Sequence, residues 1–175
     1  MNIIWHGHSC FEITGKDGTI VFDPYQANSV PGLNSLKLKA NLVLCSHEHD
    51  DHNARNCVEV APKDFKVTCI ETYHDHHQGS HRGKNTIHIV DFENLKVVHM
   101  GDIGCMMDDV SKLKNCDVLM IPIGGYYTID TKEALKYIER IQPRIVIPMH
   151  YHSHEFGYDV LSTNEEFIQQ SSSVT

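Results

Sequence analysis

The sequence predicts an α/β domain with a metal site at one end of its strands. Three observations predict it. Short apolar runs of strand length recur along the chain, an amphipathic helix sits among the later ones, and metal-binding side chains follow several runs by one to four residues. Sheets that bind ligands beyond the carboxyl ends of their strands place residues in this way.

The elements follow in order. Cys10–Ile13 and Thr19–Phe22 flank the turn Gly15-Lys16-Asp17-Gly18 and read as a hairpin. Residues 25–40 carry Pro31, Gly32 and several Asn and Ser, which predicts a loop. Leu42–Cys45 is a short buried strand, and a helix is expected over Asn53–Val60. Further strands are expected at Val67–Ile70, Thr86–Val90, Leu95–His99, Val118–Ile121 and Arg144–Ile147, the second and third of these pairing across 91–94. Asp130 and Glu133 have capping-box spacing, Ala134, Leu135, Ile138 and Ile141 share a face, and Pro143 marks the stop. Another helix is expected from Ser162, with Glu165 three positions on, and Ser171–Ser173 is expected to fray.

Composition narrows the function. The 175 residues make one domain, 1–175, with room for a core. Net charge is −8, so nucleic acid is not an expected partner. No signal peptide and no membrane span are read, and six scattered cysteines without a Cys-x-x-Cys pair suit reduced thiols in the cytoplasm. Fourteen histidines, clustered, point to metal.

The densest cluster is SHEHDDH, Ser46–His52. In an extended chain His47 and His49 point to the same side and reach one cation. Asp51 and His52 follow as the chain turns, and their offset suits a second cation. His74, Asp102 and His150 each follow an apolar strand and complete the candidate set. His76, His77, His152 and His154 read as surface histidines. His6 and His8 are either site residues or a packed strand start. Asp23 either caps a turn or accepts a hydrogen bond from a ligating imidazole. Cys45 lies on the apolar strand and reads as an inert thiol. There is no Gly-x-Ser-x-Gly elbow and no phosphate-binding Gly-x-x-x-x-Gly-Lys loop.

His-x-His-x-Asp-His resembles the signature of the metallo-β-lactamase superfamily. GHSCF, IVFDP, SHEHDDH, YHD…GSHRGKN, HMGDIG, LMIPIGGYYTID and IPMHY follow the order of one branch, small zinc-dependent hydrolases similar to ascorbate-6-phosphate lactonases. The resemblance covers about residues 3–151. It implies a compact four-layer αβ/βα sandwich, two sheets face to face with helices outside and metals at the edge between them. It also implies a first metal on His47, His49 and His74, a second on Asp51, His52 and His150, and Asp102 bridging both. The interval of 21 residues between His52 and His74 is short for the superfamily.

A hydrolase using a metal-bridging hydroxide is therefore expected, with Asp51 and Asp102 serving the metals and His8 the candidate leaving-group acid. The metals are two divalent ions, zinc in the first instance, with manganese or iron also compatible with His/Asp donors. Five neutral histidines, two aspartates, two divalent cations and a hydroxide leave about +1, which favours a small anionic substrate such as a lactone or phosphoester. Arg82 and Lys84 either hold that anion or are ordinary surface charge, and Gly124 and Gly125 would let backbone approach it. The alternatives are a glyoxalase-type thioesterase and a metal-binding or sensor protein without turnover.

Overall fold

The computed structural model describes residues 1–171. The frayed tail expected beyond Ser171 lies outside the described residues, and Ser171 itself closes a helix.

The first sheet is built from β1 (Asn2–Gly7), β2 (Cys10–Gly15), β3 (Gly18–Phe22) and β5 (Leu42–Leu44), in that order across the sheet. The β2–β3 hairpin forms as the sequence predicts, with Phe11 opposite Phe22 and Ile13 opposite Ile20. Two short strands, β4 (Leu38–Ala40) and β6 (Val58–Val60), pair in parallel as a separate ribbon. The second sheet contains β7 (Lys66–Tyr73), β8 (Lys84–Phe92), β9 (Leu95–His99), β10 (Val118–Pro122) and β11 (Ile145–Met149), in the order β11-β10-β9-β8-β7. The two helices are α1 (Thr131–Ile141) and α2 (Glu165–Ser171).

Side-chain alternation explains the layers. Phe11, Ile13, Ile20 and Phe22 of the first sheet meet Val90, Phe92, Val97, Val118 and Met120 of the second in one core. The alternate residues Ile87, Val98, Leu119 and Ile121 face the other way, under Ala134, Tyr137 and Ile141 of α1. Strands buried on both faces read as continuous apolar runs, which is why VLMIP shows no polar alternation. The outer face of the first sheet carries Cys10 and Val21, covered by Tyr25, Val30, Ala40 and Val58. Loop and ribbon thus cover this side, where helix was expected.

That cover contains the main correction at the level of elements. The helix expected over 53–60 is a single 3-10 turn at Arg55–Cys57 followed by β6. Val58 and Val60 are β-branched and take their places beside Leu38 and Ala40. The same pairing turns the end of the expected 25–40 loop into β4. In α1 the capping box is present: Asp130 accepts from the Glu133 N–H, Glu133 accepts from the Asp130 N–H, and Gln142 ends the helix in the left-handed region. α2 begins three residues later than expected, with Phe167 as its buried anchor. Among the described residues no helix is long and apolar enough to cross a membrane.

Strand direction places the site. β7, β9, β10 and β11 run the same way, since β7 and β9 are both antiparallel to β8 and β9–β11 pair in parallel. The loops after β5, β7, β9 and β11 therefore gather at one edge between the sheets.

Candidate metal centre

The loop after β5 is held by the carboxylate that follows β3. Asp23 accepts from the Ser46 N–H (2.6 Å), the Ser46 hydroxyl (2.6 Å) and His52 Nδ1 (2.8 Å). With the Ser46 hydroxyl donating to Asp23, His47 Nδ1 donates to Ser46 Oγ at 2.9 Å. His74 Nδ1 donates to the Tyr127 carbonyl at 3.1 Å. Each of these imidazoles is thus fixed through Nδ1 and turns Nε2 inward.

The point they turn toward is Asp102. Its Oδ2 lies 2.9 Å from Nε2 of His150, 3.2 Å from His52, 3.4 Å from His74 and 4.0 Å from His47. Asn85 fixes this aspartate by accepting its backbone N–H at 2.8 Å, while the Asn85 amide donates to Thr72 Oγ1 and the Met100 carbonyl. Asp51 approaches from the cleft side, with Oδ2 3.7 Å from His52 Nε2.

Donor atoms fall into three groups, each spanning at most 4.8 Å: His47, His49 and His74; His8, Asp51, His52 and His150; and His47, His52 and Asp102. Nε2 of His47, Nε2 of His52 and Oδ1 of Asp102 are buried and make no hydrogen bond among the described residues. Buried polar atoms left without partners are costly, and bound cations would satisfy all three. Imidazole nitrogens and carboxylate oxygens are donors for divalent zinc, manganese or iron, so the residues fit the metals.

Burial favours neutral imidazoles at His47, His8 and His74, the form a metal ligand needs, and His52 departs from this. Burial and the neighbouring His52 push His47 down to about 3, and burial and His150 push His8 down to about 4. Burial also lowers His74. Burial opposes charge on His52 too, but Asp102, Asp51 and Asp23 outweigh it and raise His52 well above its usual value. Against burial, His150 and His52 hold Asp102 well below the usual carboxylate range.

Three site residues have left-handed backbone: His8 at φ 52°, Asp23 at φ 42° and His150 at φ 53°. Residues with side chains pay strain there, and such strain clusters at functional sites. The His150 N–H donates to the His8 carbonyl at 3.3 Å, which ties the ends of the two sheets together.

The other candidates separate. His8 faces the site, fully buried, with Nε2 donating to Asp51 at 3.2 Å. Arg82 lines a cleft of about 230 Å³ with the metal-site residues, Tyr127 and Tyr158. Its guanidinium lies 5.3 Å from the Tyr127 ring centroid and 5.8 Å from that of Tyr126. Lys84 corrects its expectation: it opens β8 opposite Tyr73, is exposed, and pairs with Glu71 at 3.2 Å away from the cleft. Gly124 is corrected as well. A Cβ there would lie 2.0 Å from the His150 carbonyl oxygen, so its bareness serves the ligand loop and not a substrate. Gly125, at φ 63°, borders a separate polar hollow of about 180 Å³ that shares Arg82. His76 lies 3.7 Å from Glu133, the His77 ring lies tilted 4.3 Å from that of His81, and His152 lies 3.6 Å from Asp159; these and His154 join none of the three groups.

Tyr127, Tyr158 and Asn85 were not singled out from the sequence. Tyr158 donates to the Ser29 carbonyl at 2.7 Å and stands 3.3 Å from Asp51 Oδ2. Tyr127 had a signal, since GGYY follows an apolar strand. Tyr158 had none: it reaches the site from a loop about a hundred residues after Asp51.

Known proteins share the sequence pattern and fold of this chain. The family described as beta-lactamase superfamily domain matches residues 2–150. A UPF0173 metal-dependent hydrolase from Thermoplasma acidophilum is 28% identical over 95% of this chain and 88% of its own length. One from Staphylothermus marinus is 30% identical over 84% and 82%. The crystal structure of a Thermotoga maritima protein, assigned to the Zn-dependent hydrolases of the metallo-β-lactamase superfamily, matches with TM-score 0.74 and 26% identity, covering 96% of this chain and 84% of that one.

Proposed function

Because the chain belongs to the beta-lactamase superfamily and is a metal-dependent hydrolase, we propose that it uses two divalent metals to hydrolyse a small anionic lactone or phosphoester. His47, His49 and His74 would hold one metal, and Asp51, His52 and His150 the other, with Asp102 between them. Zinc is the first candidate. The observation that carries this reading is Asp102 Oδ2 at the centre of four inward-facing imidazoles, amid buried donor atoms without partners. When bound, the metals would supply Lewis-acid polarisation of the scissile group and a water acidic enough to ionise near neutral pH.

The chain's own residues do the rest. Asp23 and Ser46 orient His52 and His47, and the Tyr127 carbonyl orients His74. His8 stands behind Asp51 and does not line the cleft, so its role is to hold that carboxylate, not to meet a leaving group. Arg82 lines the cleft and offers a planar fork to an anionic substituent. The small cleft volume favours a metabolite-sized substrate.

The test is metal analysis of the wild type and Asp102→Asn, with turnover on lactones, a chromogenic phosphodiester and thioesters. Two metals in the wild type, fewer in the variant, and a rate lower by orders of magnitude are expected. A wild type with one metal, or a variant with unchanged content and rate, defeats the bridging role. Preference for thioesters selects the glyoxalase-type alternative, and no turnover on any ester selects the metal-binding protein.

A further inference from the structure

Residues 75–83, between the ligand His74 and β8, fold around one buried carboxylate. Asp75 is only 2% exposed as a residue. Its Oδ1 accepts from the N–H groups of His77 (2.7 Å) and Gly79 (3.0 Å), and its Oδ2 from those of His81 (3.0 Å) and Arg82 (2.8 Å). The loop closes on itself. The His74 N–H donates to the Gly83 carbonyl at 3.1 Å and the Gly83 N–H to the Gly79 carbonyl at 2.9 Å. Gln78, Gly79 and Gly83 all have left-handed backbone, at φ 57°, 79° and 86°. Four converging N–H groups and this backbone need an acceptor at the centre. The carboxylate supplies it, and one of its four bonds is to the residue whose guanidinium reaches the cleft.

We propose that Asp75 is a positioning residue for recognition of substrate charge: its carboxylate folds 75–83 into a hook that holds Arg82 at the cleft beside His74. This rests on the reading of Arg82 as the anion contact. Asp75 joins none of the three donor groups and does not line the cleft beside His74. Two supports converge on the same place, since Tyr127 orients His74 through its carbonyl and packs its ring under Arg82. Asn at position 75 keeps one acceptor oxygen and sets an NH2 group against the other pair of N–H donors, so one side of the hook must open.

The experiment measures kcat/KM for a matched anionic and neutral ester in the metal-loaded enzyme and takes their ratio, which does not depend on how much protein is folded. Arg82→Ala should lower that ratio between about tenfold and a hundredfold, the worth of a charge-assisted contact. Asp75→Asn should lower it at least about tenfold, mainly through KM for the anionic ester, and Asp75→Glu should recover part of the loss. In the Arg82→Ala background Asp75→Asn should change the ratio by less than about twofold, because the contact through which it acts is already gone. An unchanged ratio in Asp75→Asn, with Arg82→Ala lowering it, overturns the positioning role and leaves the anion contact standing. An unchanged ratio in Arg82→Ala overturns both. Equal losses on both esters with loss of metal place Asp75 behind His74 and overturn the proposal too. Should Asp75→Asn fail to fold, Gly79→Ala perturbs the same hook, since its Cβ would lie 2.7 Å from the Gly83 carbonyl oxygen at φ 79°. A ratio unaffected there is again fatal to the proposal.

Discussion

Asp23 touches Ser46 and His52 together, and through Ser46 it reaches His47. The sequence left two roles open for it, turn cap or acceptor for an imidazole, and its carboxylate takes the second, accepting from His52 Nδ1. That choice was not legible, because it depends on β3 and β5 being neighbours. The cluster of candidate donors itself was legible, since six adjacent positions carry it. Asp23→Asn should weaken metal binding by about 10–100-fold, the usual loss when the partner of a ligating histidine is impaired. An Asn keeps one acceptor oxygen and turns its NH2 against the rest of the three donors it inherits, so His52 loses its fixed orientation. Competition against a chelator of known affinity measures this, and unchanged affinity would mean that His52 orients without Asp23.

Among the elements, the strands and α1 were legible because both follow from local pattern: apolar runs in one case, a capping box and one apolar face in the other. The 53–60 segment was not. Its conformation depends on Leu38–Ala40, some twenty residues away, and a single sequence does not report that pairing. Lys84 shows a second limit. Proximity in sequence to His74 suggested the cleft, but strand alternation directs the side chain to Glu71. Gly124 belongs to this scale, because it lets the segment after β10 run against the one after β11. Its carbonyl also accepts from the Ser162 N–H at 2.9 Å. In Gly124→Ala the new methyl meets the His150 carbonyl, a backbone atom that moves only with its ligand. Such overpacking costs about 1–3 kcal/mol, or several degrees in Tm for a chain of this size. Calorimetry and metal analysis should find both a lower Tm and less metal; a drop in Tm alone would show that His150 absorbs the shift.

For the whole molecule, the centre is a seam between two sheets, so metal, folding and protons are linked. The sign differs by residue in the metal-free protein. The unfolded chain takes up protons at its histidines near pH 6.5, while folded His47 and His8 stay neutral down to about 3 and about 4. Their contribution to stability is therefore lost as pH falls from about 6.5 toward those values. His52 acts oppositely. Its raised pKa stabilises the fold below about 6.5, and that contribution disappears as pH rises through the raised value. In the metal-free protein Asp102, Asp51 and Asp23 thus favour a proton on His52. A cation needs that nitrogen unprotonated, so loading must release the proton and affinity must rise with pH. Metal at a hundred times its dissociation constant adds about 2.7 kcal/mol of stability. The rise in Tm on adding zinc should accordingly grow from pH 5 to pH 8 at fixed free metal. Calorimetric titration in two buffers of different ionisation enthalpy should report net proton release near pH 7. Identical heats in both buffers would show that His52 is already neutral, and that the three carboxylates around it do not outweigh its burial.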